Sequence, residues 1–232
     1  KQNVTVYDNT SGKLVPMGEI ERGTPFPIAT DYGNWWRIIY LGRIGYVKKQ
    51  YLLPYEEQDI DQIIQRYKKK DTTHIMKRIR RFRIPHAKQF VKSAENMLSG
   101  KYRISNFGTF DFSNGIKWGD SPVKGKKFSS SYYRALHGHF FINDLIAAYL
   151  VNGKVDYLYR GYEIIEDWIS KNKFGKAAHR FAWHDEGTSR RLITWVLFFD
   201  AAKDVLQHEK LKKLLIEMIA HADMLLRKSF HS

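Results

Sequence analysis

Hydrophobic and polar positions alternate through the first fifty residues and then change period. Trp36, Ile38 and Tyr40 interleave with Trp35, Arg37 and Ile39, the two-residue repeat of a half-buried strand. Val4, Val6 and Leu14 sit in short apolar stretches, with turn residues around them at Asp8-Asn9, Ser11-Gly12, Arg22-Gly23 and Tyr32-Gly33-Asn34. Gly42 then turns the chain into Ile44-Gly45-Tyr46-Val47. So many short strands in so few residues predict a small barrel, because closure removes exposed edges.

Pro54 begins a transition, and the period becomes helical. Ile60, Ile63, Ile64 and Tyr67 follow i, i+3, i+4, i+7 spacing. Pro85 suits a helix start, Phe90, Val91, Ala94, Met97 and Leu98 form a stripe, and Gly100 offers a C-cap. Residues 101–127 lack a period and carry Gly, Ser, Asn and Pro, which predicts a long irregular connection of the functional kind. Four more helices are expected over 131–151, 155–170, 186–206 and 209–228, with short links that favour antiparallel pairs. No internal repeat supports a regular solenoid. The expectation is a β domain over 1–54 and an all-α domain over 55–232.

Composition narrows the chemistry. With 43% apolar and 15% aromatic residues the chain is globular in kind, and with no cysteine it has neither disulfides nor thiolate metal sites. No apolar run approaches the roughly 18–20 residues of a membrane span. The net charge of +15 favours polyanions: acidic polysaccharide, nucleic acid, teichoic acid or an anionic membrane. Residues 1–54 hold seven basic and four acidic residues, so most of the surplus lies in the helical part. There, residues 66–92 carry 11 basic residues against Asp71 alone, a capture rim or a solvated face. Walker loops, GxGxxG, GxSxG and zinc-ligand clusters are absent, which removes support for nucleotide or serine-hydrolase chemistry.

The stretch from Asp31 to Val47, with Gly33-Asn34-Trp35-Trp36 and Gly45-Tyr46-Val47, resembles bacterial SH3-like domains. That resemblance implies cell-wall binding or a spacer role. A second resemblance covers Met97 to Val205. Its pieces are Leu98-Ser-Gly-Lys-Tyr-Arg103, Trp118-Gly-Asp-Ser-Pro122, Ala148-Tyr-Leu-Val-Asn-Gly153, Ile164-Ile-Glu-Asp-Trp-Ile169 and Ala182-Trp-His-Asp-Glu-Gly-Thr-Ser-Arg-Arg-Leu-Ile-Thr-Trp195. In order and spacing they resemble the N-terminal helical region of heparinase II/III-like polysaccharide lyases.

The second resemblance implies an incomplete (α/α) toroid that grips an acidic polysaccharide, no cofactor, and a secreted or cell-surface setting. The reaction implied is β-elimination at a uronic acid, which needs carboxylate neutralisation, a Tyr or His base at C5 and protonation of the departing O4. Family members use an Asn-His pair one helix beyond the Trp-His-Asp helix. No Asn-His dipeptide occurs here, so the expectation is a binding wall without most of the catalytic groups. The alternatives are a non-catalytic glycan or cell-wall module, and nucleic-acid binding, for which no reading motif is present.

Candidate binding residues follow from residue type. Trp118 lies in the irregular loop, where an indole has little packing reason to exist, so it is a stacking candidate. His137 and His139, two apart in an expected helix, would point to different faces and make a poor metal pair. Either could line a cleft, as could Asn143 one turn beyond. Tyr132 and Tyr133 are stacking or core residues, and Lys124, Lys126 and Lys127 hold anions or keep the loop soluble. Trp183 and His184 face a cleft or belong to packing, with Asp185 as the expected helix cap. Arg190 and Arg191 are candidates to neutralise a uronate or sulfate, with one of the two on a solvated helix face and Arg190 expected to be the inward one.

Overall fold

The computed structural model describes residues 3–21, 28–41, 43–51, 57–72, 87–226 and 230. A small antiparallel sheet comes first, then a helical region. The sheet has strands β1 (Val4–Asp8), β2 (Val15–Ile20), β3 (Ile28–Tyr32), β4 (Trp35–Tyr40) and β5 (Arg43–Lys48), in the order β2-β1-β5-β4-β3. The alternation sets its inner face: Val4, Val6, Ile20, Ile38 and Val47 form a core joined by Met17, Trp36 and Tyr40. Gly45 stands opposite Val6, where a Cβ would come within 2.4 Å of its Cγ1. The Tyr40 hydroxyl reaches from β4 across to β2 and donates to the Glu19 carbonyl at 3.1 Å, so the sheet curls over its own core. Among the described residues the sheet is open, with β2 and β3 at its edges, where a closed barrel was expected. Leu14 stands 44% exposed and takes no part in the core.

The helices are α1 (Glu57–Lys68), α2 (Ala87–Leu98), α3 (Ser130–His137), α4 (Ile142–Asn152), α5 (Asp156–Lys171), α6 (Asp185–Ala202) and α7 (His208–Leu226). Helix α4 is central: Ile142, Leu145, Ile146, Ala147 and Ala148 are buried, and it packs on α2, α5 and α6. Helix α5 buries a stripe through Leu158, Ile165 and Trp168. Its Gly161 lets α6 approach, since a Cβ there would meet the Phe198 ring at 2.5 Å.

Two sequence expectations change. The connection over 101–127 holds a hairpin of β6 (Lys101–Arg103) and β7 (Thr109–Asp111). It also buries Tyr102, Ile104, Phe110, Phe112, Ile116 and Trp118 in the main core, so packing accounts for its aromatic content. The single helix expected over 131–151 is two, α3 and α4, parted at Gly138–Phe141 where His139 adopts φ of 57°. The Arg22-Gly23 turn, Pro54, Pro85, residues 73–86 of the basic run, and His231-Ser232 lie outside the described residues.

Candidate functional site

Helix α6 buries Gly187, Thr188, Arg191, Thr194, Trp195 and Phe198, spaced as one helical face. Arg191 lies on that face, so its charge is carried inside. Its Nε donates to His221 Nε2 at 2.9 Å, Nη1 donates to the carbonyls of His137 (2.8 Å) and Ala182 (3.0 Å), and Nη2 donates to Thr188 Oγ1 at 3.3 Å. The guanidinium stands 3.8 Å from the centre of the Trp168 ring. Burial lowers its pKa while the Glu217 carboxylate favours its charge. An arginine starts so basic that it remains a cation.

The hydrogen bonds fix the state of three buried histidines. His221 Nδ1 lies 2.7 Å from the Glu217 carbonyl, which can only accept, so the proton is on Nδ1 and Nε2 is free to receive Arg191. His137 Nδ1 accepts from Trp168 Nε1 and His139 Nδ1 accepts from Trp195 Nε1, each at 3.0 Å, which places their protons on Nε2. Burial and the Arg191 charge hold His137 at about 3 and His221 at about 2, and hold His139 well below the ordinary histidine value. All three are neutral near pH 7.

The same region corrects the expectations for four candidates. The break between α3 and α4 brings His137 and His139 under one ring, Trp118, at 5.7 and 5.3 Å between centroids. An unbroken helix would have sent them to different faces. Trp118 is 1% exposed and its Nε1 donates to Asp167 at 2.8 Å, so it is a core lid over the histidines instead of a surface platform. Asn143 is buried, with Nδ2 donating to the Phe140 carbonyl at 2.9 Å. Among the described residues no group of three potential metal ligands occurs.

Outside this node, the end of the bundle formed by α3 and the start of α6 is partly open. His184, not Asp185, occupies the N-cap position of α6. Its Nδ1 lies 2.8 Å from Asp185 Oδ1 and 3.3 Å from the Glu186 N–H. One nitrogen cannot donate and accept at once; the shorter contact puts the proton on His184 Nδ1. Asp185 Oδ1 then takes the Glu186 N–H at 2.6 Å. Arg190 points outward and pairs with Glu186 at 2.7 Å, so Arg191, not Arg190, is the inward arginine. Arg134 from α3 approaches the same Glu186 at 3.5 Å. His179 stacks on Tyr133 at 3.9 Å, and Arg180 lies over Phe181 at 4.8 Å. This rim combines Arg134 and Arg190 on Glu186 with Arg180, His179 and His184 and the partly exposed rings of Tyr133 and Phe181.

Trp183 links rim and node. Its Nε1 donates to the Asn172 carbonyl at 2.7 Å, and its ring lies 4.6 Å from His221. Its other surroundings form a pocket of about 280 Å³ with Trp168, Asn172, Lys173, Phe174, Glu217 and Asp223 in its wall. Sequence reasoning missed Arg191's inward place, His221, His179 and Glu217. For His221 a signal existed, since Leu211, Leu214, Met218 and His221 share one face of α7.

Comparison with known proteins gives one match: the model of the family described as Heparinase II/III N-terminus covers residues 42–232. That span begins after β4 and takes in every described helix. No curated protein and no solved structure matches.

Proposed function

The chain belongs to the heparinase II/III N-terminus family, and from that premise we propose that it is the binding wall of a polysaccharide lyase acting on a uronate-containing polymer. The family places the chain with a polysaccharide-lyase-related region. The finer reading has an SH3-like β unit over 1–54 and the first part of an (α/α) toroid over 55–232, acting outside the cell or at its surface. The family match over 42–232 supports the lyase-related part of this reading. The rim of Arg134, Arg180 and Arg190 beside His179 and His184 supplies the chemistry that uronate carboxylates or sulfates require. Glu186 holds Arg134 and Arg190 in place.

The elimination itself needs a base and a proton donor. The deeply buried histidines do not serve: each is neutral, with one ring nitrogen committed to Trp or Arg. The role proposed for this chain is to bind and orient the polymer; no Asn-His dipeptide occurs in its 232 residues. The test is binding to heparan sulfate, hyaluronan, alginate, peptidoglycan and single-stranded nucleic acid at two salt concentrations. Selective, salt-resistant binding of one uronate polymer supports the reading. Binding to peptidoglycan alone favours a cell-wall module, and equal, salt-labile binding to all polyanions removes the case for a shaped site.

A further inference from the structure

Asn-Gly occurs twice in the chain, at Asn114-Gly115 and Asn152-Gly153, and both pairs are exposed. The dipeptide has chemistry of its own. A glycine has no side chain to shield its backbone nitrogen and the freest backbone of any residue, so that nitrogen can reach the carboxamide carbon of the asparagine before it. The fold treats the two pairs differently.

Asn152 is the last residue of α4, and Gly153 caps that helix with φ of 74°. The Gly153 N–H donates to the Tyr149 carbonyl at 2.7 Å. The Asn152 carboxamide is held at both ends: Oδ1 accepts from the Lys154 N–H at 3.0 Å, and Nδ2 donates to the Tyr157 hydroxyl at 3.4 Å. Attack here requires the end of α4 to unwind and both side-chain bonds to break. Asn114 stands in the turn after β7, outside any helix or strand. Among the described residues its side chain has no hydrogen-bond partner. Gly115 has φ of 87°, a Cβ built on it would meet nothing within 4 Å, and its N–H donates only to the Phe112 carbonyl, at 2.9 Å. One turn hydrogen bond, at a surface where water replaces it, holds the nucleophile.

We propose that Asn114 is a site of spontaneous modification, and that the fold protects the same dipeptide at Asn152. Hydroxide takes the Gly115 N–H proton and the nitrogen bonds to Asn114 Cγ. The Cγ–Nδ2 bond breaks, Nδ2 leaves as ammonia with a proton from water, and a succinimide ring remains. Water then opens either of its carbonyls, which leaves an aspartate or an isoaspartate; nothing is oxidised or reduced. The product adds a carboxylate to the turn, and the isoaspartyl form lengthens its backbone. That turn is tight: a Cβ on Gly100 would come within 2.6 Å of Ser113 Cα, and the Phe112 N–H donates to the Gly100 carbonyl at 2.7 Å. It leads into Ile116 and Trp118 of the main core, so the change falls on a segment that packs. Neither step involves the arginine rim.

The test is incubation of the folded chain at mildly alkaline and mildly acidic pH, followed by peptide mapping by mass spectrometry and an isoaspartyl methyltransferase assay. The same incubation is repeated in urea. In the folded chain the Asn114 peptide is expected to react at least about tenfold faster than the Asn152 peptide, and faster in alkali. In urea the two are expected to react at similar rates. Asn114→Gln removes most of the folded chain's signal, because the longer side chain closes its ring slowly, and Asn152→Gln leaves it unchanged. Thermal unfolding checks that both variants fold. Equal rates at the two sites in the folded chain, faster reaction at Asn152, or no reaction at Asn114 where the unfolded chain reacts overturns the proposal. A difference that survives in urea also overturns it, since the neighbouring sequence and not the fold would then set the rates.

Discussion

The Arg191 guanidinium and the Trp168 indole lie 3.8 Å apart, face on, with the cation wholly buried and hydrogen-bonded only to neutral acceptors. One side chain thereby ties α6 to the α3–α4 break, to the turn before Trp183 and to α7. The pocket and the rim both depend on that tie, since Trp183 and His184 stand at the end it anchors.

Replacing Arg191 by Lys keeps the charge and loses the planar fork. Carbonyls of His137 and Ala182 and the His221 Nε2 lone pair are then incompletely satisfied. We expect Arg191→Lys to cost about 2–4 kcal/mol of stability by urea unfolding. A loss below about 1 kcal/mol would show that the fork is dispensable.

The buried histidines set an acid limit. Their folded pKa values are depressed, so below the unfolded value of about 6.5 the unfolded chain binds more protons and stability falls with pH. Each contributes about 1.4 kcal/mol per pH unit of loss from about pH 6.5 down to its folded value. The contribution is fully present above that window. Unfolding free energies measured from pH 8 to 4 should drop steeply below pH 6, and a flat profile would mean these rings are protonated in the fold.

Trp118 is a core lid, so Trp118→Phe should act on stability and not on ligand affinity. Loss of the indole N–H bond to Asp167 and of ring volume is expected to cost about 1–3 kcal/mol. Glycan affinity should change by less than about twofold on the scale where tenfold is 1.4 kcal/mol. Weakened binding with unchanged melting would restore Trp118 as a sugar platform.

Gly161 tests how closely α5 meets α6. A Cβ would press the Phe198 ring at 2.5 Å, so Gly161→Ala should destabilise by about 1–3 kcal/mol in spite of its better helix propensity. A stabilised variant would mean the helices part without penalty.

Periodicity made the strands and most helices legible, because burial of one face leaves its spacing in the residues. The break at Gly138–Phe141 was hidden, since apolar residues continue at helical spacing on both sides, and only the Gly138 backbone hints at it. That concealment carried His137 and His139 to the wrong faces. Two adjacent arginines carry the same charge, so charge does not tell which faces inward; the stripe through Thr188, Trp195 and Phe198 does, and it runs through Arg191. The rim and pocket were legible only at Trp183, His184 and Arg190. Tyr133 with His179, and Glu217 with Trp183, meet through tertiary packing that no local pattern records.

The most direct measurement is the affinity of the Arg134→Ala/Arg190→Ala double variant for the uronate polymer that the wild type prefers. A Lys101→Ala/Arg103→Ala control removes equal charge from β6. The account predicts about a tenfold loss for the rim variant and less than about twofold for the control. Equal losses in both would contradict it, leaving net charge, and no shaped site, as the source of binding.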